Sequence, residues 1–433
     1  VQKLSVSLRF LPLQLGVAYL LFTIVLFFFG PFEWPIRNDV LVLFFLFVTL
    51  VALCLGYMLG SYAQSPSGSL AGWRRFFRLG VLLSIFLLAP STYAYTGKWP
   101  WEVVNTLGDQ GLAYREMLNA LEQNESGIRS YVALGRAMAA PFVYCVIPFA
   151  ILNWRSLSFF DVLLLLGHIA AILIFSLMRG TDRETGDLLV ISLVSFLILG
   201  GQAVVRHGRI PLGFGKILAS TLFLLMVFFL TIGLFVERKE ARMGGDSEFC
   251  IAEGVVCSQR TSVNDPFISK LSFTTEMLSA YLAQGYYGLS LALKEDFTST
   301  LGLGHSSFLI ATFSKVVDES LYERSYLHKV DQAGWSDKAQ WSTMFTWIAS
   351  DVSFPMVPLV IAVLSFLWGN AWKSAVLWRS EAGGLVFLLL CLSILYMPAN
   401  NQLTQTLDSY FAFVFWLVVW IGQGRSEKTI AEV

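Results

Sequence analysis

Arg136, Arg179 and Arg183 stand at the ends of long apolar runs, and their chemistry is that of oxyanion binding. A charge within a helix turn of hydrocarbon costs roughly 1–3 kcal/mol unless it has a partner, so its presence asks for a reason. Guanidinium stays ionised at any cellular pH, and its fork of donors matches phosphate oxygens bidentately. Arg179 and Arg183 lie in the stretch SLMRGTDRETGD, four residues apart. A helix continuing through Gly180 puts both on one face, whereas a bend at that glycine separates them. Asp182, Glu184 and Asp187 offer a plainer use for the same arginines, as internal salt bridges.

Proton-transfer candidates are few. His305 in LGLGHSS, Glu276 and Asp351 share one polar stretch. Histidine suits a general base near neutral pH, although a lone histidine also serves as a hydrogen bonder that stabilises a turn. Tyr281, Tyr286, Tyr287, Trp335 and Trp341 can offer flat faces and polar tips to a ligand, with Gln284 among them, or anchor the chain at a membrane interface. Asp161 and His168, seven apart, share a helical face. They form either a proton relay or an interfacial acid with a packing histidine. No metal-ligand spacing such as His-x-x-x-His or Cys-x-x-Cys occurs, and no cofactor is expected. Gly302 and Gly304 follow no strand, so they form no nucleotide-binding fingerprint. Cys54, Cys145 and Cys391 lie in apolar runs and read as small buried hydrophobes, whereas Cys250 and Cys257, seven apart in the polar stretch, suit a disulfide closing a tight loop.

The elements that must position these groups follow from composition. Charged residues are 14% of the 433-residue chain, against roughly 25% in soluble domains, and mean hydropathy is +0.64. That excludes a soluble enzyme and points to an all-α polytopic membrane protein. Ten runs are long enough to cross a bilayer core, at about 11–30, 40–62, 79–96, 137–152, 158–178, 188–205, 217–236, 352–368, 382–397 and 407–421. Three regions result: residues 1–236 with seven spans and a smaller translocated segment at about 97–136, a mainly helical loop domain at 237–351, and residues 352–433 with three spans and a tail. Lys3, Arg9, Arg74, Arg75, Arg78, Arg155, Arg206, Arg209, Lys216, Lys373, Arg379, Arg425 and Lys428 gather on one side, which the positive-inside rule makes cytoplasmic, together with both termini. The 237–351 segment on the other side carries fifteen acidic and ten basic residues. Balanced overall charge gives no ground for a nucleic-acid partner, and membrane lipids are the expected surroundings.

The stretch AYLAQGYYGLSLAL, then GLGHSS, then WSTMFTWIASDVSF, taken with the arginine-bearing turn, resembles the Wzy-type polymerases that join oligosaccharide repeat units of O-antigen. The order of parts agrees across roughly residues 130–360, the block Gln284-Gly285-Tyr286-Tyr287-Gly288-Leu289 is its most specific piece, and the rest agrees in hydropathy alone. Similar proteins follow the acid at Asp351 with a glycine-rich approach to the next helix, where this chain has Val352, Ser353, Phe354 and Pro355. The resemblance implies a GT-C-like glycosyltransferase of the bacterial inner membrane with its site facing the periplasm. Such enzymes move a growing glycan from undecaprenyl pyrophosphate to the terminal sugar of an incoming lipid-linked repeat unit. It also implies a flippase and a chain-length regulator of the same pathway as partners.

Transfer of that kind needs a stabilised pyrophosphate leaving group and a proton acceptor. Arg179, with Arg183 and Arg136 beside it, is the expected pyrophosphate grip, with arginine in place of a metal ion. His305, Glu276 and Asp351 are the candidates for the base, and Tyr281, Gln284, Tyr286, Tyr287 and Trp341 for glycan contact. The rival readings are an O-antigen ligase, a lipid-linked oligosaccharide flippase or other transporter, and a scaffold without activity.

Overall fold

Apolar runs of some twenty residues fold as helices in hydrocarbon because each backbone N–H and C=O then finds its partner within the segment. The computed structural model describes residues 4–106, 110–123, 127–209, 233, 235–237, 248–252, 256–259, 266–337 and 339–431. The described residues are 79% helical, and among them seven helices are long and apolar enough to cross a membrane. Six of them are α1 (Val6–Phe29), α2 (Asp39–Tyr62), α3 (Trp73–Thr96), α5 (Gly127–Leu152), α6 (Phe159–Arg179) and α7 (Arg183–His207), with the amphipathic α4 (Gln110–Gln123) between α3 and α5. The seventh is the run Phe354–Trp378, whose regular part is α12 (Val357–Lys373). Two further expected spans, α13 (Glu381–Tyr396) and the apolar Leu407–Gln423 portion of α14 (Leu407–Ala431), are shorter. The expected run at 217–236 lies almost wholly outside the described residues.

Several helix starts differ from the hydropathy pattern, and two of them bear on the arginines. α5 begins at Gly127, ten residues before the apolar run, so Arg136 lies inside the helix rather than at its tip. The polar residues of that first stretch mask the helix from a hydropathy reading. α7 begins at Arg183, which brings Glu184 and Asp187 into its opening turns. Between α6 and α7 the chain bends: Gly180 adopts φ +58°, and a Cβ there would lie 2.6 Å from the Gln110 carbonyl oxygen and 2.8 Å from Tyr114 N. Only glycine satisfies both demands, so Arg179 and Arg183 belong to different helices.

The segment between α7 and α12 contains α8 (Pro266–Ala292), α9 (Ser307–Val316), α10 (Tyr326–Gln332) and α11 (Met344–Val352). It also holds a two-stranded hairpin, an exception to the all-helical expectation. β1 (Glu248–Ala252) pairs antiparallel with β2 (Val256–Gln259), and Cys250 faces Cys257 and is joined to it by a disulfide. The segment does not sit apart from the spans. The second half of α8 packs on α1, where the Tyr286 hydroxyl lies 2.9 Å from Thr23 Oγ1, and one continuous core runs from α1 and α2 through α8, α11 and α12 to α14. α2 and α12 approach most closely: a Cβ at Gly60 would fall 1.9 Å from the Phe366 carbonyl oxygen.

At the end of the bundle that carries the short basic loops, Asp161 is buried and caps α6 with Ser158, and it accepts from Arg78 at 2.7 Å. His168, further along α6, meets Ser84 Oγ of α3 at 2.8 Å. Asp161 is thus held by a helix cap and an ion pair, while His168 and Ser84 also line a cavity between α3, α5, α6 and α7.

Candidate active site

The arginines gather at the opposite end of the bundle, where α3, α5, α6, α7 and the start of α14 meet. Arg136 donates from Nε and Nη2 to Asp408 Oδ2 at 3.1 and 2.9 Å. Arg179 pairs with Glu184, which Thr181 Oγ1 also contacts at 3.0 Å. Arg183 lies 3.9 Å from Asp187 Oδ2 and donates to Thr406 Oγ1 at 3.3 Å. With its amide oxygen turned toward Arg183, Gln402 accepts from Nε and Nη2 at 2.7 and 2.8 Å. Tyr396 donates to Asp187 at 3.1 Å. The expected salt bridges thus form for Arg179 with Glu184 and for Arg183 with Asp187, whereas Arg136 pairs with Asp408, a partner the sequence did not suggest.

Aromatic rings underlie the same cluster. The Phe175 ring lies 4.6 Å from the Arg136 guanidinium carbon and 5.2 Å from that of Arg179. The Tyr95 ring has Arg129, Arg136 and Arg179 at 5.4, 5.9 and 5.3 Å. Below them a cavity of about 160 Å³ opens between α3, α5, α6 and α7. Leu88, Val143, Ile172 and Ile191 line its walls, and Arg136, Glu184, Asp187 and Asp408 stand among its charged lining. Such a cleft suits an amphiphile with an apolar stem and an anionic head.

The second part of the site is a pair the sequence left apart. Asp351, at the end of α11, meets His305 Nδ1 with Oδ2 at 2.8 Å. It also accepts from the backbone nitrogens of Gly304 at 2.7 Å and His305 at 3.0 Å, and from the Thr300 hydroxyl. Burial opposes ionisation of Asp351, but the hydrogen bonds from His305, Thr300 and Gly304 outweigh it and hold the carboxyl below its ordinary range. A carboxylate at Nδ1 fixes the proton there and leaves the Nε2 lone pair available, the tautomer a general base needs. His305 remains 25% exposed and Asp351 8%. Two residues after Asp351, Ser353 adopts φ +67°, a backbone conformation that favours glycine.

One segment joins the two parts. Asn401 Nδ2 and Thr404 Oγ1 donate to the His305 carbonyl oxygen at 2.9 and 2.6 Å, while Gln402 and Thr406 hold Arg183 and Asp408 holds Arg136. The His305 and Tyr410 rings meet edge to face at 5.7 Å. None of these partners was singled out from sequence. The only signal was a run of amide and hydroxyl side chains, NNQLTQT, between two apolar stretches.

The remaining candidates lie elsewhere. Glu276 is buried in α8, accepts from Ser272 Oγ at 3.0 Å and is not part of the cavity lining. Tyr286 is 1% exposed, Tyr287 packs between Trp34 and Trp335, and Gln284 accepts from Trp341 N at 3.3 Å. Trp335 is buried and donates to the Trp341 carbonyl oxygen at 3.0 Å. These four side chains are packing groups rather than open faces for sugar, because the small residues between them let α8 sink into the core. Tyr281 and Trp341 remain half-buried, edge to face at 4.7 Å. Among the described residues no three His, Cys, Asp or Glu side chains group to hold a metal ion.

The chain matches no protein-family model, no curated protein and no solved structure. Its functional reading is therefore carried by the geometry of the site and by the sequence resemblance.

Proposed function

We propose that this chain is a membrane glycosyltransferase that polymerises lipid-linked oligosaccharide repeat units. In this reading it spans the bacterial inner membrane ten times, with the arginine cleft and the His305–Asp351 pair at the periplasmic face. The growing glycan leaves undecaprenyl pyrophosphate and joins the terminal sugar of an incoming undecaprenyl-pyrophosphate repeat unit. The observation that supports it most is the junction of an apolar, arginine-bearing cleft with a carboxylate-oriented histidine through the 401–408 segment.

The residues divide the task between them. The acceptor hydroxyl oxygen attacks the anomeric carbon as the bond from that carbon to the pyrophosphate oxygen breaks. His305 Nε2 takes the hydroxyl proton, and Asp351 stabilises the imidazolium that results. The arginines meet the charge that grows on the leaving group in a partly desolvated cleft, where fixed positive charge acts most strongly. The test is the full-length protein in proteoliposomes given undecaprenyl-pyrophosphate repeat units. Lengthened lipid-linked glycans support a polymerase. Transfer to a lipid A acceptor makes it a ligase, and translocation without a new bond makes it a flippase.

A further inference from the structure

Four arginines gather at this end of the bundle, Arg136 in the cavity lining and Arg129, Arg179 and Arg183 outside it, and three are already satisfied by carboxylates: Arg136 by Asp408, Arg179 by Glu184 and Arg183 by Asp187. An anion that binds to Arg136 or Arg183 must first displace a charge-assisted contact, whereas the Glu184 pair of Arg179 engages Nη1 and leaves Nε unfilled. Arg129 differs. It lies on α5 seven residues before Arg136, on the same face, and among the described residues no carboxylate stands within ion-pairing distance of it. Its one recorded contact is the face of Tyr95, 5.4 Å from ring centroid to guanidinium carbon. Arg179 is on the same ring at 5.3 Å, and its Nε is buried without a hydrogen-bond partner. Unfilled donors on two guanidinium groups therefore converge on one aromatic ring.

We infer that Arg129 and Arg179, gathered over Tyr95, are the seat of a phosphoryl or diphosphoryl oxyanion, and that the carboxylate-bound Arg136 and Arg183 hold the shape of the cleft around it. Both guanidinium carbons lie within 5.4 Å of the same ring centroid, so the two cations share one aromatic support. The cation–π contacts fix the guanidinium groups without consuming their N–H donors. The inference rests on the proposed function only for the source of the anion, a lipid pyrophosphate whose stem enters the cavity beneath. Free diphosphate presents the same chemistry.

The test uses the full chain purified in detergent, with inorganic pyrophosphate and farnesyl pyrophosphate as probes in equilibrium binding. Arg129→Ala should weaken binding of both by about tenfold or more, the size expected for one charge-assisted hydrogen bond. Arg129→Lys should restore part of the loss, since it keeps the charge and lacks the fork. Among the described residues Arg129 makes no ion pair, and alanine is a strong helix former, so thermal unfolding of Arg129→Ala should match the wild type. Tighter binding of farnesyl pyrophosphate than of pyrophosphate assigns the anion to a lipid, and equal binding assigns it to a free diphosphate. Wild-type affinity in Arg129→Ala, or a loss fully explained by lowered thermal stability, overturns the seat. Arg129-dependent binding without any glycan lengthening overturns the polymerase reading and keeps the seat. Normal lengthening at unchanged substrate affinity in Arg129→Ala does the reverse.

Discussion

Replacing Asp351 with asparagine separates charge from shape in the His305 pair. The carboxylate accepts from His305 Nδ1 at 2.8 Å and from the Gly304 and His305 backbone nitrogens at 2.7 and 3.0 Å. An amide of the same size keeps one acceptor oxygen, but its NH2 group facing Nδ1 favours the opposite tautomer and puts the ring proton on Nε2. The base is then blocked, and the His305 backbone N–H, which also donated to Oδ2, loses its acceptor while the Gly304 N–H and the Thr300 hydroxyl keep theirs. General-base catalysis contributes about 10²–10⁴-fold, so the rate of single-turnover elongation in proteoliposomes should fall within that range, with affinity for the lipid-linked donor unchanged. Stability should change with pH as well. Burial raises the Asp351 pKa, but the hydrogen bonds from His305, Thr300 and Gly304 lower it further, so the folded value lies below the unfolded one. The stabilisation is complete above the ordinary carboxylate value of about 4 and is lost as pH falls through the lowered folded value. Asp351→Asn lacks that acid-dependent loss. Elongation at the wild-type rate by correctly inserted Asp351→Asn, or unfolding curves parallel to the wild type down to about pH 2, would refute the reasoning.

Other substitutions separate chemistry from packing. Arg179→Ala, still inserted and folded, should leave only single repeat units, with a loss of about 10²–10³ in elongation rate; long chains from that variant would remove its role in leaving-group stabilisation. Gly180→Ala should destabilise the α6–α7 bend by about 1–3 kcal/mol, because the added Cβ meets the Gln110 carbonyl and the φ is positive; thermal unfolding measures it. Tyr286→Phe removes one buried hydrogen bond to Thr23 and should cost about 1 kcal/mol in stability without slowing elongation. A slowed reaction with unchanged stability would return Tyr286 to glycan contact.

Hydropathy was enough to locate most of the helices, because apolar runs in hydrocarbon have no other way to satisfy their backbone. It failed where polarity and helicity part company. The first turns of α5 carry Ser130 and Arg129 and read as loop, which hid Arg129 altogether. The turn at Gly180 was one of two open choices, and what decided it was the close approach of α4, a contact between distant parts of the chain. The pairing of Arg136 with Asp408 joins residues 272 apart, and His305 meets Asp351 across 46, so neither could be read from spacing. Cys250 and Cys257 were legible because a hairpin brings near neighbours together. The aromatic-glycine block of α8 shows the opposite difficulty. Residue type announced rings able to hold sugar, but which way a helix turns them depends on its packing partners, and α1 and the Trp34–Trp335 pair take Tyr286 and Tyr287 into the core.

The most direct measurement gives the purified full chain undecaprenyl-pyrophosphate repeat units in proteoliposomes and resolves the lipid-linked products by size. The expected result is a ladder of lengthening glycans on undecaprenyl pyrophosphate, whose growth both Arg179→Ala and Asp351→Asn slow by about a hundredfold or more. Repeat units that stay single with the wild-type protein, or a ladder that both variants leave untouched, would contradict it.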